Sequence, residues 1–351
     1  MSFRIDGLAA PVGAKPNLSR ARELRRGMDA RLLESLLSIL TRISDRSNVD
    51  CSPAIDRISM CRDLLGESEK KKLSYLAYAL HWTLKKVITS RDFDRLPFIV
   101  DQFEQSVMAE DKVRIFPLRS QPNDPSEEVL IDTLTREHRE TYKFDLQFSE
   151  PRPDEIEASK EMIAQVLERI AKVDPATHAE ITSLVSDIAL IKEPHLNAGS
   201  SFPMFGCIYV HVLHPDNGWV RFLEHLTHET AHHWLFGVWT LDPILIREGD
   251  AWYNSPLRNE PRPMSAIFHQ MFVLARVVRI WSIFQSSGLC GPEIYEAYTN
   301  YQNDQDGKNF TEKFWFAAEV IRRHACLTRV GTAIFEECQA MVADYPVRYD
   351  S

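Results

Sequence analysis

The run His228-Glu229-Thr230-Ala231-His232 constrains this chain more than any other feature of its sequence. Two imidazoles four residues apart reach a single metal ion only when the backbone between them is helical, because i and i+4 side chains then share a face. Leu223, Leu226 and Trp234 supply an apolar side, so an amphipathic helix is expected to begin near Trp219 and to carry a metal. The His-Glu-x-x-His spacing is the signature of metal-dependent enzymes, with both histidines as ligands and the glutamate beside the ion. His225 shares the face of His228 and is expected to support it. His233 points elsewhere and reads as structural.

Two histidines leave a metal underligated, so a third protein donor should follow. The extended zinc-protease pattern needs a glycine three residues after the second histidine and a histidine three residues beyond that. Leu235 and Val238 occupy those places and Gly237 is out of register, which excludes it. Two candidates remain. Glu248, in Arg247-Glu248-Gly249-Asp250, would be the downstream ligand of a zinc peptidase or amidase, with Glu229 as the base that activates water. His269 would lie in the first turns of the next strong helix.

The rest of the chain reads as mainly helical. Residues 21–43 carry Leu24, Met28, Leu32, Leu33, Leu36, Leu37 and Leu40 at three- and four-residue steps. A second helix is expected after Ser68, whose hydroxyl suits a cap, through Leu73, Leu76, Leu80 and Leu84, and a third over 93–108. The charged segment 67–72 reads as its solvated start. Gln121-Pro122-Asn123-Asp124-Pro125-Ser126 reads as a linker or long turn, and 129–148 as strands. Helical patterns return from Pro153 and over 176–190. A Gly/Ser/Pro loop over 199–206 leads into the β-branched run 207–212, expected as a strand. A polar loop over about 242–263, a helix over 265–284 and two further helices complete the pattern. The expectation is an α+β, mainly helical protein. A helical N-terminal region, 1–120, would recognise the substrate, and a catalytic metal-binding domain would occupy 121–351.

Composition narrows the partners. A net charge of -9 with no long basic run argues against nucleic acid, which needs clustered Lys and Arg. The opening Met1-Ser2-Phe3-Arg4-Ile5-Asp6 lacks the apolar core of a signal peptide, and no stretch of about 18 uncharged apolar residues suggests a membrane span. Cys51, Cys61, Cys207, Cys290, Cys326 and Cys338 form no CxxC pair and read as reduced thiols, which fits a cytoplasmic protein.

The stretch Tyr253-Asn254-Ser255-Pro256-Leu257-Arg258-Asn259-Glu260-Pro261-Arg262-Pro263-Met264-Ser265-Ala266-Ile267-Phe268-His269 resembles a block of the HExxH-type peptide β-hydroxylases. These act with iron and 2-oxoglutarate on ribosomally made peptides. In that family a Ser-Pro-Trp-Arg and Asp-Pro-Arg-Pro pairing follows the HExxH helix and leads to a histidine. Phe205-Gly206-Cys207-Ile208-Tyr209, ahead of the helix, also fits, so the resemblance covers 199–281, under a third of the chain. Leu257 replaces the family's tryptophan, Asn259-Glu260 stands where an aspartate precedes the proline, and Ala266 replaces a glycine. Those departures bear on substrate shape. Arg258, Arg262 and His269 stay in register.

The resemblance implies Fe(II) held by His228, His232 and His269, with 2-oxoglutarate anchored by Arg258 and Arg262. Glu229 would orient a ligand or a bound water. The implied reaction uses O2 to hydroxylate an amino-acid residue of a peptide substrate, at Cβ. The chemistry is coherent: arginine's planar fork matches a carboxylate, and Pro256 and Pro263 limit the loop that carries both arginines. The competing structural roles are an ion pair of either arginine with Glu260 or Asp250, and for His269 a core histidine bound to a carbonyl. Trp234, Trp239 and Trp252 are candidates for a pocket wall, though aromatics at such places are more often core. His211 and His214 flank the strand end, where a metal role is not expected.

Overall fold

In the computed structural model of the chain, residues 13–46, 49–66, 71–104, 106–109, 113–119, 125–142, 145–212, 218–258, 260–290 and 308–347 are described. The apolar steps over 21–43 form α1 (Leu18–Arg46), which buries Leu24, Leu33, Leu36 and Leu40. The helix α2 (Ser52–Gly66) has no counterpart in the sequence reading. Ser68 lies outside the described residues, and the helix expected behind it starts later. Lys71–Leu73 is strand β1, Ser74 takes the extended cap conformation, and α3 spans Tyr75–Ser90. The helix expected over 93–108 is shorter: a 3-10 turn at Phe93–Arg95, α4 (Leu96–Glu104), then strand β2 (Val107–Ala109), antiparallel to β1.

Strand β3 (Arg114–Pro117) precedes the expected linker, of which 121–124 lie outside the described residues. The strands expected over 129–148 are corrected to a helix, α5 (Pro125–Tyr142). Proline at the first position, Glu127 and Glu128 in the first turn, and buried Leu130 and Leu134 one turn apart outweigh the β-branched residues. Two helices follow, α6 (Pro153–Val173) and α7 (Pro175–Leu184). The helix expected to reach 190 stops at Leu184, and Asp187–Ile191 is strand β4, buried at every position. A strand covered on both faces is a continuous apolar run, which periodicity does not separate from a buried helix. Then come β5 (Ala198–Ser200), a 3-10 turn at Phe202–Met204 and β6 (Cys207–His211). The closing helices are α8 (Trp219–Leu241), α9 (Met264–Ser286), α10 (Phe310–His324) and α11 (Arg329–Asp344). The protein is thus mainly helical with a small mixed sheet, an α+β fold.

Two compact units form, each from separated stretches, and neither is bounded at residue 120. The described residues of Arg25–Glu157 and Thr182–Val212 make one; those of Met1–Leu24, Ala158–Ile181 and Leu213–Ser351 make the other. The first contains the four-stranded sheet, ordered β3-β4-β6-β5, with β3, β4 and β6 parallel and β5 antiparallel to β6. Asp29 ties its helices together: it pairs with Arg25 at 3.1 Å, accepts from the Tyr78 hydroxyl at 2.6 Å and accepts from the Leu73 backbone at 3.2 Å. Gly206 enters β6 at φ +94°, and a Cβ there would stand 2.8 Å from Arg25 Nη1 and 2.9 Å from Ser186 Oγ. The positive φ favours glycine whatever the space, and the two side-chain contacts add to that preference.

The second unit is built on α9. By length and composition this helix is apolar enough to cross a membrane, yet 83% of that window is buried inside the protein, as in a core helix. α8, α10 and α11 pack against it. Trp234 of α8 stacks on Phe272 at 4.8 Å, and Trp281 of α9 stacks on Phe310 at 4.8 Å. The loop before α11 is tightly held, since Thr328 caps the helix through Gly331 N and donates its own N–H to the Ile244 carbonyl. A Cβ at Gly331 would fall 2.2 Å from that Ile244 oxygen. Backbone cannot move aside as a flexible side chain does, so Gly331→Ala is expected to cost about 1–3 kcal/mol. A urea midpoint equal to that of the native chain would show that the contact relaxes freely.

Candidate metal centre

The polar stripe of α8 holds Arg221, Glu224, His225, His228 and His232, at three- and four-residue steps. Trp234, on another side, locks α8 onto Phe272 of α9, and Phe272 stands one turn after His269. The stack that joins the helices therefore also sets His269 against His232. Their Nδ1 atoms are 3.2 Å apart and the ring planes differ by 25°. The contact is a hydrogen bond between neutral rings. Its length also matches the spacing of two nitrogens on one ion, about 3.0–3.4 Å for bonds of about 2.0–2.1 Å. The His228 ring centroid lies 5.0 Å from that of His232. Among the described residues, no group of three or more His, Cys, Asp or Glu side chains is placed so as to hold a metal ion. His232 and His269 are thus in direct contact, and His228 lies one helical turn before His232 on α8.

Aromatic rings restrain the histidines. Phe236 stacks on His232 at 6.0 Å, and Trp239 stacks on His269 at 5.4 Å. Burial, followed by the charges of His228, His269, His233 and Arg258, holds the His232 pKa well below the ordinary value. Burial brings that of His269 down to about 4. Both rings are thus neutral near pH 7, the form that ligates metals. His228 differs: burial works against its charge, but the Glu224 hydrogen bond and the Glu229 charge raise its pKa. Burial likewise disfavours the charged Glu224 carboxyl, yet His225 and then His228 keep its pKa well below the carboxylate range. Glu229 is buried, and its charge acts on His228.

The loop after α8 is closed by a two-way backbone pairing of Tyr253 with Arg262, at 2.8 Å each way. Ser255 Oγ donates to Gln270 Oε1 at 2.9 Å and accepts from the Arg258 backbone at 2.8 Å, which pins the Ser-Pro-Leu-Arg turn beside His269. Leu257 is buried, while the Arg258 side chain is exposed and its charge lowers the pKa of both His228 and His232. Arg262 pairs with Glu260 at 3.2 Å, the structural role anticipated for it, but Glu260 is 75% exposed. Arg262 Nε is buried with no hydrogen-bond partner among the described residues. Glu248 is exposed and accepts from the Ser265 backbone at 2.8 Å, so its carboxylate is engaged at the start of α9.

The remaining candidates divide. Trp234 is core, Trp239 faces the histidines and Trp252 is largely exposed. His225 pairs with Glu224 at 3.1 Å, and His233 is buried against Phe236. His211 Nδ1 contacts the Val212 carbonyl, and His214 lies outside the described residues. The Phe205-Gly206-Cys207-Ile208-Tyr209 block belongs to the other compact unit. Sequence reasoning overlooked Glu224, although an acid four residues before His228 is the same i, i+4 signal that identified His232. Ser255 and Gln270 gave no local signal at all. No protein-family model matches the chain, and no curated protein matches it significantly.

Proposed function

We propose that this chain is an Fe(II)- and 2-oxoglutarate-dependent oxygenase that hydroxylates an amino-acid residue of a peptide, at Cβ. The observation that carries this reading is the 3.2 Å contact between Nδ1 of His232 and Nδ1 of His269, the histidine that the resemblance puts in the third ligand place. The chemistry of the donor set supports the group: three imidazoles drawn onto one face of an ion would leave positions for a bidentate 2-oxo acid and for oxygen. Iron with 2-oxoglutarate and O2 supplies oxidative decarboxylation of the 2-oxo acid coupled to hydroxylation of an unactivated carbon.

The chain's own residues do the rest. His228, His232 and His269 would hold the ion, and Phe236 and Trp239 keep the last two rings from turning. Arg258 and Arg262 would bind the distal carboxylate of 2-oxoglutarate. Arg262 has an unpartnered buried Nε to offer, and its ion pair with exposed Glu260 is cheap to exchange. Glu229, buried beside His228, would orient a bound water or a ligand. The zinc-peptidase alternative asks Glu248 to leave the Ser265 N–H and turn towards the histidines.

The test is an anaerobic titration of the iron-loaded chain with 2-oxoglutarate. A weak visible charge-transfer band should appear as the 2-oxo acid chelates the metal. Arg258→Ala should shift its midpoint about 10- to 100-fold upward, the loss expected for a hydrogen bond to a charged group. No band, with zinc as the metal retained on purification, would point to peptide or amide hydrolysis with Glu229 as base.

A further inference from the structure

Glu224 takes no part in the ligand set, yet two histidines of α8 meet its carboxylate. Its side chain has no exposure, and a carboxylate so buried persists only when its oxygens are paired. Each oxygen meets a different imidazole: Oε1 is hydrogen-bonded to Nδ1 of His228 at 3.1 Å, and Oε2 lies 3.1 Å from Nδ1 of His225 in a charge contact outside hydrogen-bond geometry. Arg221 Nη1 stands 3.8 Å from Oε2. A carboxylate only accepts, so Nδ1 of His228 must carry the proton. In a neutral imidazole the lone pair is then on Nε2.

We infer that Glu224 is a positioning residue that holds His228 in the Nδ1–H tautomer and turns its Nε2 towards a divalent metal, while Arg221 and His225 brace the carboxylate from behind. This rests on the metal-site reading above. It also accounts for the spacing of the stripe. The residue that orients the first ligand precedes it by one turn, so one straight helix sets the angle of His228 without help from any loop. The geometry asks for a carboxylate in particular. A glutamine matches its shape but offers both a donor and an acceptor, so it does not select a tautomer.

The experiment titrates the metal-stripped full chain with Co(II), reading affinity by calorimetry and the ligand set from the visible spectrum. E224Q and E224A are run beside H228A. Glu224→Ala should weaken Co(II) binding about 10- to 100-fold, the usual effect of losing the partner of a ligating histidine. Glu224→Gln should fall between that and the native chain, with an unchanged melting curve. A nitrogen-detected NMR spectrum of the zinc-loaded native chain should show His228 metallated at Nε2 and protonated at Nδ1. Metallation of His228 at Nδ1, or affinity within threefold of native in a folded E224A, overturns the role of Glu224 and leaves the metal site standing. If the native chain binds no Co(II), or H228A binds it equally well, the metal reading itself is wrong.

Discussion

His269→Ala is expected to lose stoichiometric divalent metal, while Glu248→Ala keeps it. The two residues are the candidates weighed for the third ligand downstream of α8, and the structure puts them in different circumstances. His269 is neutral, half-buried and 3.2 Å from His232, with Trp239 stacked on it. Glu248 is exposed and bound to the Ser265 N–H at the start of α9. Removing a ligand should weaken binding by more than the about 10- to 100-fold seen when only a ligand's hydrogen-bond partner is lost. Glu248→Ala should instead behave as a lost cap, costing about 0.5–2 kcal/mol of stability with metal content intact. Metal analysis and calorimetry of the two variants separate the cases. The reverse pattern, with loading lost in the Glu248 variant and kept in the His269 variant, would move the chain to the peptidase chemistry. If His269→Ala lowers the melting temperature but loads fully, His269 is a core histidine.

What was readable from the sequence follows the range of the interaction that sets each feature. The α8 helix and its pair of histidines depend on neighbours three and four residues away, so their spacing alone identified them. The same holds for α1, α6 and α9, whose apolar steps repeat over many turns. Misreadings arose where burial covers both faces or where turn residues compete. The wholly buried β4 passed for the end of α7, and α5, which follows the breaker-rich 121–126 stretch, passed for strands. The site divides along the same line. Glu224 was within reach of the i, i+4 rule, whereas the Ser255–Gln270 clasp that holds the arginine turn exists only once α9 is folded beside its loop. The buried partners of Arg276 and Arg279 lie about a hundred residues earlier in the chain and left no local mark.

Those partners carry the second large effect, on stability. An apolar helix with two buried arginines would be untenable unless each guanidinium were matched, because an uncompensated buried charge is costly. Arg276 forks onto Glu180, with Nη1 2.9 Å from Oε1 and Nη2 3.2 Å from Oε2, and both side chains are only 3% exposed. Arg279 pairs with Asp174 and donates to Thr177 Oγ1 at 3.1 Å, joining α9 to the start of α7. The Asp174 carboxyl is held below the usual range, since Arg279 and Thr177 outweigh its burial. Glu180→Ala should therefore destabilise the chain by about 3–5 kcal/mol, the cost of stranding one member of a buried pair. The pair itself is not what stabilises. Replacing both members, as Glu180→Leu with Arg276→Met, should recover most of that loss and can reach or exceed native stability, because packed apolar groups carry no desolvation cost. Urea unfolding of the single and double variants checks this. A single-variant loss below about 1 kcal/mol, the range of exposed pairs, would mean that water reaches Arg276 and that α9 is less enclosed than its burial indicates.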